Sequence, residues 1–139
     1  MQDSPARMFA VVFGVLLILA GVLGFAAESS FSGDDRATML GLIDVNGLSS
    51  LLYLVAGALG ILAWRAGDAS ARQFAAAAGL AFAILAIGGF VAGDGETLLS
   101  ALPVSTGATV WHLIVAVAGI GAYVMGDARM KAGRPTPAA

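Results

Sequence analysis

Six side chains have the types and spacing to build a polar site: Asn46, Ser49, Ser50 and Tyr53 in one segment, Thr109 and His112 in another. Positions 46, 49, 50 and 53 share one face of a helix, as do 105, 108, 109 and 112. Ser105, Thr106 and Trp111 belong to the second cluster. An ionisable residue such as His112 inside an apolar helix is a functional candidate by default. A neutral histidine hydrogen-bonded to Tyr53, Ser50 or Thr109 is the structural alternative. Asn46 and Ser105 also suit helix N-caps, and Tyr53 and Trp111 suit an aromatic belt at a lipid interface. No carboxylate stands at helical spacing from His112, so no catalytic residues are expected. The sequence has one histidine and no cysteine. That excludes multi-histidine metal sites, thiolate ligands, disulfides and cysteine nucleophiles within one chain. A bis-ligated haem needs two axial ligands, and Met125 lies too far along the same segment to pair with His112. No cofactor is expected.

The elements that position these residues must be apolar helices. Of 139 residues, 59% are hydrophobic and 12% charged, with a mean hydropathy of +0.91. Soluble domains run near 45–50% apolar and about 25% charged, so lipid is the expected solvent for most of this surface. The net charge of −2 argues against a nucleic-acid partner. Four apolar stretches, near 8–27, 47–64, 73–92 and 108–126, contain no Asp, Glu, Lys or Arg. Each approaches the ~20 residues that a helix needs to cross a bilayer. Residues 1–27 resemble a signal peptide, but the run exceeds the usual apolar region of about 7–15 residues, and a similar run recurs internally. A retained first helix is expected.

The chain also repeats itself. Ala6-Arg7-Met8-Phe9-Ala10 matches Ala71-Arg72-Gln73-Phe74-Ala75, Gly14 matches Gly79, and Gly24-Phe25 matches Gly89-Phe90, all at an offset of 65. After a six-residue slip in the loop, the offset is 59. Val45 then matches Val104, Tyr53 matches His112, Leu54 matches Leu113, and Gly60-Ile61 matches Gly119-Ile120. The expected fold is therefore all-α: a single membrane domain over 1–139, a four-helix bundle of two parallel helical-hairpin repeats at 6–64 and 71–126. A cytoplasmic tail follows at 127–139.

Arg7, Arg65, Arg72, Arg129, Lys131 and Arg134 flank one side and Arg36 alone the other. The positive-inside rule then puts both termini and the 65–72 loop in the cytoplasm. The loops at 28–46 and 93–107 face outward. Within the first, Thr38-Met39-Leu40-Gly41-Leu42-Ile43 is apolar enough for a short interfacial helix or re-entrant piece, or for a loop packed over the bundle mouth. Small-residue seams, Ala10-xxx-Gly14, Ala56-xxx-Gly60, Ala75-xxx-Gly79-xxx-Ala83 and Ala118-xxx-Ala122-xxx-Gly126, suit internal helix packing or a docking face for another subunit. The residues after 133 read as a disordered tail.

In layout the chain resembles the small bacterial four-helix membrane proteins of the domain of unknown function 4383 family over about residues 6–126. In that family the second helix opens Asn-x-x-His-Asn-x-x-His and the fourth Asn-x-x-x-Asn-x-x-His. Here Asn46 alone matches the first pattern, with Ser49, Ser50 and Tyr53 at the other positions, and His112 alone matches the second. Val45-Asn46-x-Leu48 and Ala56-Gly57-Ala58-Leu59-Gly60 also look like the family. The resemblance implies a bacterial inner-membrane location and supplies no activity. The expected role is a non-enzymatic structural or accessory subunit, with the bilayer and other membrane subunits as partners. A small-solute transporter or channel, or a cofactor-binding protein using His112, is the alternative.

Overall fold

A computed structural model describes residues 3–133, Pro135 and Ala138. The expected charge at Arg134 and most of the tail beyond 133 lie outside the described residues. Among the described residues there are four long helices: α1 (Pro5–Ala27), α2 (Gly47–Ala66), α3 (Asp68–Ala92) and α4 (Thr106–Ala132). Each is long and apolar enough to cross a membrane, with mean hydropathies of 1.8 to 2.7 over their best windows.

The helix starts follow from local chemistry. Pro5 opens α1, where a missing N–H costs nothing, and the Ser4 hydroxyl accepts from the Arg7 N–H. Asn46 caps α2 in a reciprocal box with Ser49, and Ser105 caps α4 by accepting from the Ala108 N–H. Two boundaries differ from expectation. The 65–72 loop contracts to Gly67 (φ +113°), because the polar first turn of α3 is itself helical. At the other end, α4 runs on to Ala132 through the expected start of the tail, where basic Arg129 and Lys131 suit a helix C-terminus. Asp127 accepts from Lys131 at 2.9 Å, and this hydrogen bond and charge attraction hold the Lys131 ammonium above its usual range.

α1 packs along α2 and α3 along α4, and matched residues make matched contacts. A Cβ on Gly60 would stand 2.9 Å from the Ala10 carbonyl oxygen, and one on Gly119 would stand 2.8 Å from that of Ala75. Gly14 faces Gly57 and Ile61, while Gly79 faces Ala116 and Ile120. Gly24 has no room for a side chain against Ser50, nor Gly89 against Thr109. Most of the seam positions are therefore occupied inside the chain, where the absence of side chains lets backbones approach.

The apolar stretch after Arg36 is not an interfacial helix but folds as a β-hairpin. Strands β1 (Ala37–Met39) and β2 (Ile43–Val45) pair antiparallel, and β3 (Thr97–Leu98) pairs with β4 (Leu102–Pro103). Both turns place two residues at positive φ: Leu40 (54°) and Gly41 (69°), then Leu99 (53°) and Ser100 (57°). This is the sign pattern of a type I′ hairpin turn. The two registers match residue for residue at the offset of 59: Met39↔Ile43 corresponds to Leu98↔Leu102. The purely helical expectation thus misses two small hairpins over one end of the bundle.

The opposite end gathers the start of α1, the α2–α3 junction and the end of α4. Ser4 donates to Asp68 at 2.7 Å, the Arg7 Nε–H donates to the Trp64 carbonyl, and Arg72 pairs with Asp127 at 3.2 Å while lying over the Tyr123 ring.

Candidate functional site

Tyr53 on α2 and His112 on α4 meet near the bundle axis. The Tyr53 hydroxyl and His112 Nε2 are 2.8 Å apart. Phe82 of α3 stacks on Tyr53 with an interplanar angle of 13° and packs against His112 with ring centroids 5.5 Å apart. Tyr53 is 3% exposed and His112 half-buried. His112 stands seven residues after Ser105, about 10 Å down the helix at 1.5 Å per residue.

A cavity of about 150 Å³ opens beside this pair. Its walls come from α2 (Leu52, Ala56), α3 (Ala81, Leu85) and the second hairpin (Leu98, Leu102), and are mostly apolar. Of the six candidate residues, Ser49, Tyr53, Thr109 and His112 line it. Ser49 contributes little free chemistry, because its hydroxyl accepts from the Asn46 N–H and donates to the Asn46 carbonyl.

Asn46 and Ser50 do not line this cavity, so the six candidates do not form one pocket. Asn46 is fully buried at the α2 cap, where its amide donates to the carbonyls of Ser32 at 3.1 Å and Ala101 at 2.6 Å. Ser50 is turned towards α1 against Gly24, and its hydroxyl meets no partner among the described residues.

The caps do more than start helices. Asn46 of the first half holds the Ala101 carbonyl in the second hairpin, and Ser105 of the second half donates to the Leu42 carbonyl in the first at 3.4 Å. Positions 42 and 101, like 46 and 105, are equivalent at the offset of 59. Ser105 also accepts from the Asp44 N–H at 3.0 Å. Arg36, the one basic residue at this end among the described residues, pairs with Asp44 and donates to the Gly33 and Glu96 carbonyls. Each half thus clasps the hairpin of the other.

The family profile described as Domain of unknown function (DUF4383) matches residues 7–125. The chain belongs to this family. No curated protein and no solved structure matches it. For this member of the 4383 family, Phe82, Ala56 and the second hairpin are site residues that sequence reasoning missed. Phe82 is one apolar residue among many in α3. Only the repeat, which aligns it with fully buried Leu17, distinguishes it. Among the described residues no group of three or more His, Cys, Asp or Glu side chains could hold a metal ion.

Proposed function

We propose that this protein is a non-enzymatic, multi-pass protein of the bacterial inner membrane that serves as a structural or accessory subunit of a larger membrane complex. Its two helical hairpins are parallel repeats, with both chain ends in the cytoplasm and the β-hairpins outside. The reciprocal clasp carries this reading. Asn46, Ser105 and Arg36 each spend at least one hydrogen bond on joining one half to the other, which suits a rigid scaffold better than an alternating-access carrier. The four apolar stretches also lack the carboxylates, lysines and arginines on which ion-coupled transport usually relies. With the small-residue seams largely used internally, docking falls to the broad apolar exterior, which includes Leu59, Leu80, Ile87 and Val117.

Extraction of native membranes in mild detergent, followed by native electrophoresis, tests the proposal. The expected result is co-migration with a larger assembly. A chain that migrates alone as a monomer would overturn the accessory role. A second reading, retention of a small membrane-dissolved molecule, is favoured by the cavity beside Tyr53 and His112.

A further inference from the structure

We propose that the cavity between α2 and α3 binds the single-ring head group of a membrane-dissolved quinone, held by the Tyr53–His112 pair. This inference rests on the bilayer reading and goes beyond the scaffold role.

Size comes first. A cavity of about 150 Å³ matches the volume at which an engineered apolar cavity accepts benzene. Leu52, 42% exposed, and the exposed Ala81 flank it on the outer surface of the bundle, so a ligand dissolved in lipid can enter sideways between α2 and α3.

The repeat shows that the space is a feature of one side of the bundle, between α2 and α3. At the offsets of 59 and 65, Leu52 corresponds to Trp111, Ala56 to Val115 and Ala81 to Leu16. The cavity side carries the smaller residue at each of these three pairs. Across the bundle, Trp111 packs against Phe13 with centroids 6.2 Å apart, and Val115 is fully buried. Leu85 against Ala20 and Phe82 against Leu17 run the other way, and Phe82 supplies an aromatic face beside the polar pair.

The polar end selects the ligand class. Neutral imidazole and phenol together have two donors, N–H and O–H, and acceptors on the second ring nitrogen and the phenol oxygen. The bond at 2.8 Å uses one donor and one acceptor. If Tyr53 donates, His112 keeps an Nδ1–H and the phenol oxygen still accepts. If His112 donates, the phenol keeps its O–H and Nδ1 accepts. In either tautomer one donor and one acceptor remain. A quinone carbonyl needs the donor and a quinol hydroxyl needs the acceptor, so one pair suits both forms. An acyl chain would leave both unused, and the one carboxylate lining the cavity, Asp44, is already paired with Arg36 and accepts from the Thr38 hydroxyl, so a charged head group would find no free counter-ion there.

The single histidine in the chain makes the test specific. The full chain, with ¹⁵N-labelled histidine, is reconstituted in nanodiscs and titrated with decylubiquinone while the imidazole ¹⁵N resonances are followed. The expected result is a saturable shift. Ala56→Phe, which fills the cavity, should abolish it with helicity and melting temperature retained. Tyr53→Phe should weaken binding about three- to tenfold, the effect of one hydrogen bond. Decylbenzene, which has the ring and chain but no oxygens, should bind at least tenfold more weakly. No shift at saturating quinone, an unchanged shift in Ala56→Phe, or equal binding of decylbenzene would each overturn the site. Resistance of the chain to carbonate extraction reports separately on the bilayer reading.

Discussion

Asn46, buried, and His112, half-buried, are polar residues on matched faces, yet they do different things. Asn46 closes a helix and reaches across to Ala101, so each of its side-chain hydrogen bonds is structural. His112 bonds to Tyr53, and its ring lies beside a cavity. Mutation should separate the two. Asn46→Ala removes a cap, worth about 1 kcal/mol, and strands two carbonyls whose replacement partners cost about 1–3 kcal/mol to lose. Asn46→Asp keeps the cap acceptor but sets a buried carboxylate oxygen against the Ser32 and Ala101 carbonyls, so its melting temperature should fall at least as far as that of Asn46→Ala. Equal melting of Asn46→Ala and the parent would show that the clasp contributes nothing. His112→Leu should cost little, because side-chain hydrogen bonds between membrane helices average about 0.6 kcal/mol with a maximum near 1.7. Unfolding in graded denaturing detergent measures this. A loss well above that ceiling would make His112 a structural keystone rather than a ligand-facing group.

Within an element, glycine position decides what a side chain would do. Gly60 and Gly119 face the partner backbone within each hairpin, whereas Gly121 has open space around the direction its Cβ would take. Leucine at 60 or 119 should push the paired helices apart and cost about 1–3 kcal/mol, the usual range for overpacking. Leucine at 121 should be neutral or slightly stabilising. The discriminating measurement is the ranking of the three variants in one melting series. A Gly121→Leu variant as damaged as the other two would remove close packing as the explanation. The helices were legible because apolar runs near membrane length and cap residues at 46 and 105 leave few alternatives. The β-hairpins were not legible. Their turns place Leu40, Leu99 and Ser100 at positive φ, where Asn, Asp or Gly is the usual signal. Their strands are only two or three residues long. What holds them is tertiary: Gly107 has no room for a Cβ under the Leu42 carbonyl, and Gly33 lies against Ser100. No local pattern records such contacts. The cavity was hidden for a related reason. Position 53 could be paired with 112 from the repeat, but the gap at Ala56 and Ala81 appears only once α2 stands beside α3.

For the whole molecule, apolar surface and charge placement point the same way. Leu19, Leu62, Ile84 and Val124 are exposed on four different helices, far more contiguous apolar surface than a soluble monomer usually shows. A bilayer accounts for it. Charged residues collect at the two ends: Arg7, Asp68, Arg72 and Asp127 at one, Arg36, Asp44 and Asp94 at the other. Among the described residues, Arg7, Arg65, Arg72, Arg129 and Lys131 fall at the first end and Arg36 at the other, and the first is the end assigned to the cytoplasm. The chain has no native cysteine, so single cysteines report without background. Asp34→Cys and Leu99→Cys, both exposed at the β-hairpin end, and Ala69→Cys, exposed at the α2–α3 junction, can be probed in spheroplasts with a membrane-impermeant maleimide. The account predicts labelling at positions 34 and 99 in intact spheroplasts and labelling at 69 only after permeabilisation. Labelling at 69 in intact spheroplasts, with 34 and 99 protected, would contradict it.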